Sequence, residues 1–285
     1  MATTPNPTER IKMLYFTDPV CSHCWALEGT MNRFKHEYAA VLDVVTVMGG
    51  MFDDPLSKSE ADDMAEHWTE VGLYYNIPID GRIWKTTGVA TTWPASIAFL
   101  VLDGKDPVRA ARFLRIVREA VFLERRDIGD RAVLADLLRK VGADADAVVE
   151  FAYSPQGRDL LLANMKPMVE LGIEGYPAVV FMNDAGEAVK VVGARSFETY
   201  RKAMLKMMKS GTEPSSAGAE PLSALVERIP TLFDNEVEKI YDVRKDAFSA
   251  FVAASLPAGT YELGETLGHR FVRHVGRTTP YGNPV

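Results

Sequence analysis

The stretch Asp18-Pro19-Val20-Cys21-Ser22-His23-Cys24-Trp25 decides the fold, because it holds both cysteines of the 285-residue chain, separated by two residues. An apolar run, Ile11 to Phe16, precedes it and predicts a strand. A helical pattern follows, in which apolar residues recur at spacings of three and four from Cys24 to Tyr38. A strand, a Cys-x-x-Cys pair and a helix in this order predict a thioredoxin-like redox site.

The position of each cysteine predicts its catalytic role. Cys21 falls at the start of the helix, where unpaired N–H groups and the helix dipole favour a thiolate, so we expect an exposed nucleophile with a lowered pKa. Cys24 begins the buried face and is expected to be the shielded resolving thiol. Between them, Ser22 and His23 are expected to tune the pKa. A cationic or hydrogen-bonding His23 would stabilise the Cys21 thiolate, and the alternative is a solvated surface histidine.

Two other interpretations of the cysteine pair are a zinc site and a pair of buried, unreactive thiols. Zinc requires four ligands, and the chain has no further cysteine. His23 could be a ligand, but His36, His67, His269 and His274 show no paired ligand spacing. We therefore expect no metal and no organic cofactor.

The composition is that of an ordinary globular protein, with 47% hydrophobic and 25% charged residues. The net charge of −7 gives no electrostatic attraction to nucleic acid or to anionic membrane, and no apolar run approaches the ~20 residues of a membrane span. Residues 1–10 lack the hydrophobic segment of a secretory signal, so a cytoplasmic location is expected, although a trimmed mature form would look the same. Cytosolic thiols are kept reduced, which favours a catalytic or sensing pair over a structural disulfide.

The order of the remaining elements predicts an α/β fold, with a thioredoxin-like core over residues 10–209. From about 57 to 172 the pattern is almost entirely helical, too long for one crossover, which predicts an inserted α-helical subdomain. The core strands and the last core helix are predicted at 41–48, 178–182, 189–192 and from Ser196 onward.

The tail is predicted to be a separate small module. Residues 210–221 are small, polar and proline-bearing, as in a linker. Three short helical patterns and a possible hairpin over 222–285 suggest a winged-helix-like α+β module. It carries seven Lys/Arg against eight Asp/Glu, so it lacks the positive face that nucleic-acid binding requires, and binding to protein or packing on the core is expected instead.

At residues 18–25 the chain resembles the DsbA superfamily of thiol–disulfide oxidoreductases. The resemblance implies a thioredoxin core with a helical insertion before a loop that ends in a cis-proline. Tyr176-Pro177 lies where that motif is expected, just before the third strand, and the resemblance implies that both residues position the substrate backbone. His23 matches the middle of the motif in strongly oxidising members, although Ser22 replaces their proline.

Within the superfamily the chain looks similar to the cytoplasmic FrnE-like dithiol isomerases and to the SpxH-type (YjbH-type) adapters, which deliver a transcription regulator to the ClpXP protease. The features that carry this likeness are residues 24–28, 113–115, 122–124 and the tail. It implies either an oxidoreductase acting on protein or peptide disulfides, or an adapter for a protease or regulator protein. In the adapter the cysteines would be non-essential or redox-sensing.

A third resemblance is to the kappa-class glutathione transferase and hydroxychromene-carboxylate isomerase branch, which shares the inserted fold. Those enzymes are expected to have serine at the nucleophile position and to activate glutathione. Cys21 counts against this assignment.

Overall fold

The central element is strand β1 (Ile11–Thr17), whose residues are apolar on both faces and almost all buried. The computed structural model describes residues 10–209 and 213–275. In it β1 pairs in parallel with β2 (Leu42–Met48) and antiparallel with β3 (Ala178–Met182), and β4 (Ala188–Val192) completes a sheet of order β2-β1-β3-β4. The expected thioredoxin-like α/β core is confirmed.

Two helices follow β1 where the sequence predicts one. The first, α1 (Ser22–Ala26), ends at Leu27, whose N–H bonds to two carbonyls of that helix. The second, α2 (Glu28–Glu37), packs its apolar face on the sheet and on the last core helix, α9 (Phe197–Leu205). The break places Glu28 at the first position of α2, close behind the cysteine pair.

All regular structure between β2 and β3 is helical, as expected from the sequence. Side-chain caps set several of these helix starts: Ser57 and Glu60 form a capping box, and Asp106 caps a helix that has proline at its first position. No helix in the described ranges is long and apolar enough to cross a membrane. The elements are α3 (Lys58–Tyr75), a 3₁₀ helix (Gly81–Lys85), α4 (Trp93–Asp103), α5 (Pro107–Phe122), α6 (Arg131–Lys140), α7 (Ala145–Ala152) and α8 (Pro155–Glu170).

The C-terminal module, residues 222–275, has its own apolar core between three helices and an antiparallel sheet of order β5-β7-β6. Strand β5 has only three residues and is missing from the expectation drawn from the sequence, which placed strands after residue 260 alone. The winged-helix description stays a prediction. The elements are α10 (Leu222–Arg228), β5 (Thr231–Phe233), α11 (Asp234–Tyr241), a 3₁₀ helix (Lys245–Ala247), α12 (Phe248–Ser255), β6 (Tyr261–Thr266) and β7 (His269–His274).

The C-terminal module packs directly on the thioredoxin core. The Ala217 N–H donates to the Glu37 carbonyl at 3.0 Å, and the Ser216 hydroxyl donates to the Glu37 carboxylate at 2.7 Å. At Gly29 the helices α2 and α11 approach so closely that an added Cβ would lie 3.1 Å from the Cα of Glu236. Ser216 and Ala217 therefore contact the last residue of α2, while the linker and the domain boundaries stay predictions.

Replacing Phe233 by alanine should destabilise the whole protein. Phe233 is fully buried, and its ring packs edge-on against Trp25 at 6.3 Å and Phe271 at 6.0 Å. A Phe→Ala change in such a site costs about 3–5 kcal/mol, because it removes apolar contacts and leaves a cavity. Urea unfolding followed by circular dichroism measures the loss.

The control is Leu263→Ala on the exposed face of β6, which should change the free energy of unfolding by less than about 0.5 kcal/mol. If Phe233→Ala is as mild as this control, the module does not stabilise the core.

Candidate redox site

The cysteine pair lies where β1 passes into α1. Cys21 is the N-cap of α1, and its Sγ accepts a hydrogen bond from the Cys24 N–H at 3.2 Å. Both cysteines are free thiols, with only 3% of Cys21 and 0% of Cys24 exposed. The expected helix-start position of Cys21 is therefore observed, but its expected exposure is wrong.

The pKa values of the two thiols are shifted in opposite directions. Burial raises the pKa of Cys21 well above its ordinary value, and the hydrogen bond to Cys24 and the charge there raise it further. Burial alone would raise the pKa of Cys24 too, but the hydrogen bond from Cys21, the charge of Arg118 and a hydrogen bond from Thr17 outweigh it, so that pKa is lowered. The expectation that Cys21 carries the lowered pKa is thus wrong for the resting pair. Cys24 is therefore the more acidic thiol of the pair, and proton transfer between the sulfurs would place a thiolate on Cys21.

Arg118, on α5, supplies the positive charge of the site. Only 1% of its surface is exposed, and it donates to the Thr17 hydroxyl at 2.5 Å and to the Asp18 carbonyl at 3.3 Å. It also forms a short salt bridge with Glu28. Burial would lower the pKa of Arg118, but the charge of Glu28 more than compensates. A guanidinium fixed in this way stabilises negative charge on the cysteine pair.

Asp18 is a buried carboxylate at the same turn. It accepts hydrogen bonds from the Val20 N–H at 3.1 Å, the Met51 N–H at 2.9 Å and the Thr92 hydroxyl at 3.3 Å. Burial raises the pKa of Asp18 to about 6, and these hydrogen bonds oppose the rise without cancelling it. The group can therefore gain or lose a proton near neutral pH.

Ser22 and His23 do not contact a sulfur in any hydrogen bond of the described residues. The Ser22 hydroxyl lies 3.4 Å from His67 Nε2, and His23 Nδ1 lies 3.3 Å from the Tyr75 hydroxyl. Burial and then the neighbouring His67 lower the pKa of His23, so the neutral ring is favoured. Of the two expected forms of His23, the cationic one is therefore not favoured, and a pKa-tuning role for Ser22 and His23 stays a prediction.

The Tyr176–Pro177 peptide bond is cis. Ala178 pairs with Phe16, so Pro177 lies beside the end of β1 that leads into the cysteine turn. The Tyr176 hydroxyl donates to the Gly49 carbonyl at 3.1 Å, and an added Cβ at Gly49 would lie 2.3 Å from the tyrosine ring. The glycine permits this close approach, while the substrate-binding role of Tyr176 and Pro177 stays a prediction.

Arg118 and Glu28 are the charged residues of the site that the sequence analysis missed. A signal was present: Arg118 follows Leu114 by four positions, on the apolar face of α5. A charge on the buried face of a helix requires a buried partner. Sequence alone could not identify that partner, because Glu28 is 90 residues away.

Three proteins that this chain resembles in sequence or fold have names of two functional kinds. The ClpXP adapter protein SpxH of Bacillus subtilis is 23% identical over 242 residues, which cover 84% of this chain and 80% of that protein. A Nitrosomonas europaea structure, proposed to be a protein disulfide isomerase, has a TM-score of 0.63 at 22% identity and covers 72% of this chain and all of its own. The cytosolic disulfide reductase DsbM of Pseudomonas aeruginosa has a TM-score of 0.55 at 23% identity. The match covers 68% of this chain and 92% of the DsbM chain.

The resemblance expected from the cysteine motif is confirmed by these comparisons. Both the DsbA-like oxidoreductases and the SpxH adapters are relatives in fold or sequence. The family model described as thioredoxin matches residues 14–202, which is most of the chain and includes the cysteine pair, Arg118 and the cis-proline. The protein belongs to the thioredoxin family.

Proposed function

We propose that this protein is a cytoplasmic thiol–disulfide oxidoreductase of the reductase or isomerase type, acting on protein or peptide disulfides. The observation that carries the proposal is the environment of the cysteine pair. Two free thiols are hydrogen-bonded at a helix start, and the buried Arg118 stabilises a thiolate there. A structural pair of thiols would need neither the buried cation nor the ionisable Asp18.

The proposed reaction begins when the proton of Cys21 passes to Cys24. The Cys21 thiolate attacks one sulfur of the substrate disulfide, the substrate S–S bond breaks, and the other substrate sulfur leaves as a thiolate that takes up a proton. Cys24, again deprotonated, then attacks Cys21 Sγ and releases the second substrate thiol. The two cysteines lose two electrons and their protons, and the two substrate sulfurs gain two electrons and take up protons from solvent, so that the enzyme is left with the Cys21–Cys24 disulfide.

The neighbouring groups support the two proton transfers. With a pKa of about 6, the Asp18 carboxylate is a suitable acceptor for the Cys24 proton in the resolving step. Pro177 and Tyr176, beside the end of β1, position the substrate backbone in this proposal. Two equivalents of a low-molecular-weight thiol return the enzyme disulfide to the dithiol, which suits a reducing compartment.

A second candidate function is that of a protease adapter. The similarity to SpxH of Bacillus subtilis favours it, because that similarity covers 84% of the chain and extends beyond the thioredoxin core. An adapter works by holding a partner protein, and the C-terminal module provides additional surface for this. In that case the cysteines would be dispensable for binding or would sense the redox state.

Cys24→Ala should trap substrates as mixed disulfides. Cys21 can still attack a substrate disulfide, but the resolving thiol is absent, so the intermediate accumulates. Non-reducing electrophoresis of the tagged protein, isolated from cells after acid quenching, should show conjugates that collapse when dithiothreitol is added. Cys21→Ser is the matched control and should give none.

The double variant Cys21→Ser with Cys24→Ser separates the two candidate functions. An oxidoreductase loses all turnover on a model disulfide substrate. If wild-type protein has no turnover while the double variant still binds a partner as tightly as wild type, the oxidoreductase proposal fails and the adapter is supported.

Arg118→Met should raise the pKa of the reactive thiolate. Removing the buried cation withdraws the favourable charge interaction, and opposite charges at close range shift a pKa by about one to three pH units. Ultraviolet absorbance of the thiolate, followed against pH in the reduced protein, measures the change. Arg118→Lys keeps the charge and should shift the pKa less; an unchanged titration in both variants would contradict the proposed role.

Asp18→Asn should remove a pH dependence of stability. In the wild type, burial raises the pKa of Asp18 from 3.8 to about 6, so the unfolded chain ionises first and stability falls as the pH rises from about 4 to about 6. A rise of roughly two pH units corresponds to about 3 kcal/mol at 1.36 kcal/mol each. Urea unfolding should therefore show that the stability of Asp18→Asn relative to wild type increases by about this amount between pH 4 and pH 7. A constant difference across that range would show that Asp18 has an ordinary pKa.

A further inference from the structure

A continuous chain of charges, three of them buried and Glu28 partly buried, joins the C-terminal module to the cysteine pair. It begins at Glu236 on α11, which is only 4% exposed and binds Arg115 in a bidentate pair at 2.6 and 3.0 Å. Arg115 also lies 3.3 Å from Glu28, and Glu28 forms the short salt bridge with Arg118. Arg118 donates to Thr17 beside the cysteines. Four alternating charges thus connect two parts of the chain that are distant in sequence.

Arg115 is held mainly by the C-terminal module. Besides the two bonds to Glu236, it donates to the Thr231 carbonyl of β5 at 2.6 Å. On its own helix it pairs with Glu119 at 2.8 Å, and its guanidinium lies 4.4 Å above the centre of the Trp25 ring. The module, together with Glu119, therefore determines how much of the Arg115 charge remains for Glu28.

Glu28 is shared between two arginines. Its Oε1 pairs with Arg118 and its Oε2 with Arg115. When Glu236 neutralises Arg115, Glu28 can remain close to Arg118 and compensate the Arg118 charge. Without Glu236, Arg115 would draw Glu28 away, and more of the Arg118 charge would act on the sulfurs. Such charges interact strongly because the chain is shielded from water.

We propose that Glu236 is a positioning residue for the redox site: through Arg115 and Glu28 it controls how strongly Arg118 stabilises negative charge on Cys21 and Cys24. This inference rests on one part of the proposed function, namely that the two cysteines interconvert between a dithiol and a disulfide. It makes the C-terminal module a regulator of the reduction potential. A partner that loosens the module would make the disulfide easier to reduce.

The same coupling acts in the opposite direction, because linkage between two equilibria is reciprocal. A thiolate competes with Glu28 for Arg118, so reduction should shift Glu28 toward Arg115 and weaken the hold of Arg115 on Glu236. The docking of α11 and β5 should therefore be looser in the reduced protein than in the oxidised protein. Redox state and partner binding at the module become coupled properties.

The test is the equilibrium of full-length protein with reduced and oxidised glutathione, measured by alkylating free thiols and counting them by mass spectrometry. Glu236→Gln removes one buried negative charge and should shift the equilibrium toward the dithiol by about three- to tenfold, which for a two-electron couple is about 15–30 mV. Thiolate absorbance should show the cysteine pKa moving down in the same variant.

Two controls separate charge from packing. Glu236→Asp keeps the carboxylate and should restore a potential close to wild type. Glu262→Gln removes one carboxylate from the exposed surface of the same module and should have no effect, because solvent screens it. A folded Glu236→Gln protein with an unchanged potential would overturn the proposal, and so would an equal shift in Glu236→Asp or in Glu262→Gln.

If Glu236→Gln does not fold, hydrogen exchange in the wild-type protein tests the proposed coupling instead. The Phe233 N–H donates to Glu236 Oε2 at 3.0 Å and reports on module docking. Its hydrogen exchange should be several-fold faster in the reduced than in the oxidised protein, and equal rates would refute the coupling.

These outcomes are distinct from a failure of the proposed function. If wild type has no turnover but Glu236→Gln shifts the potential, only the oxidoreductase proposal fails. If turnover is present and the potential is unchanged, only the role of Glu236 fails.

Discussion

The structure depends on burying the guanidinium of Arg118 beside two sulfurs. A charge in that position is costly unless it is paired and hydrogen-bonded, and in Arg118 the two terminal nitrogens have partners while the buried Nε has none. The end of β1 supplies the Thr17 hydroxyl and the Asp18 carbonyl, and the start of α2 supplies the Glu28 carboxylate. Three elements therefore meet at one point: β1, α2 and α5. The break after α1 places Glu28 there, at the first position of α2.

Much of the core could be predicted from sequence, because local patterns determine it. A local sequence pattern of about ten residues indicates each of four features: the apolar strands, the cysteine turn, the helical character of the insertion and the proline before β3. The break at Leu27 and the three-residue β5 were not predicted, because each is too short for a periodic pattern and depends on tertiary packing. The protonation of the cysteines was predicted wrongly for the same kind of reason. Helix-start arguments place a thiolate on Cys21, whereas burial and Arg118 are properties of the assembled fold.

The proposed redox chemistry and the proposed adapter role need not be alternatives in physical terms. The proposed thiol chemistry uses the cysteine pair at the start of α1, while partner binding would use surface on the module. Gly29 packs against Glu236, and Trp25 packs against Phe233, so the module is in direct contact with the helices that carry and follow the cysteine pair. A thioredoxin core with a module fixed behind its active-site helix differs in this respect from a core with a tethered tail.

The pairing of Arg115 with Glu236 also constrains how the protein is made. The two residues are 121 positions apart, so at about 5–20 residues per second a ribosome requires roughly 6 to 24 s to synthesise the carboxylate after the guanidinium. During that interval the insertion and the cysteine turn exist without the element that covers Trp25 and neutralises Arg115. Glu28 and Glu119 are the partners of Arg115 that are synthesised early, and the bidentate partner comes last. The order of synthesis therefore leaves the charge pairing behind the cysteines to be completed by the C-terminal module.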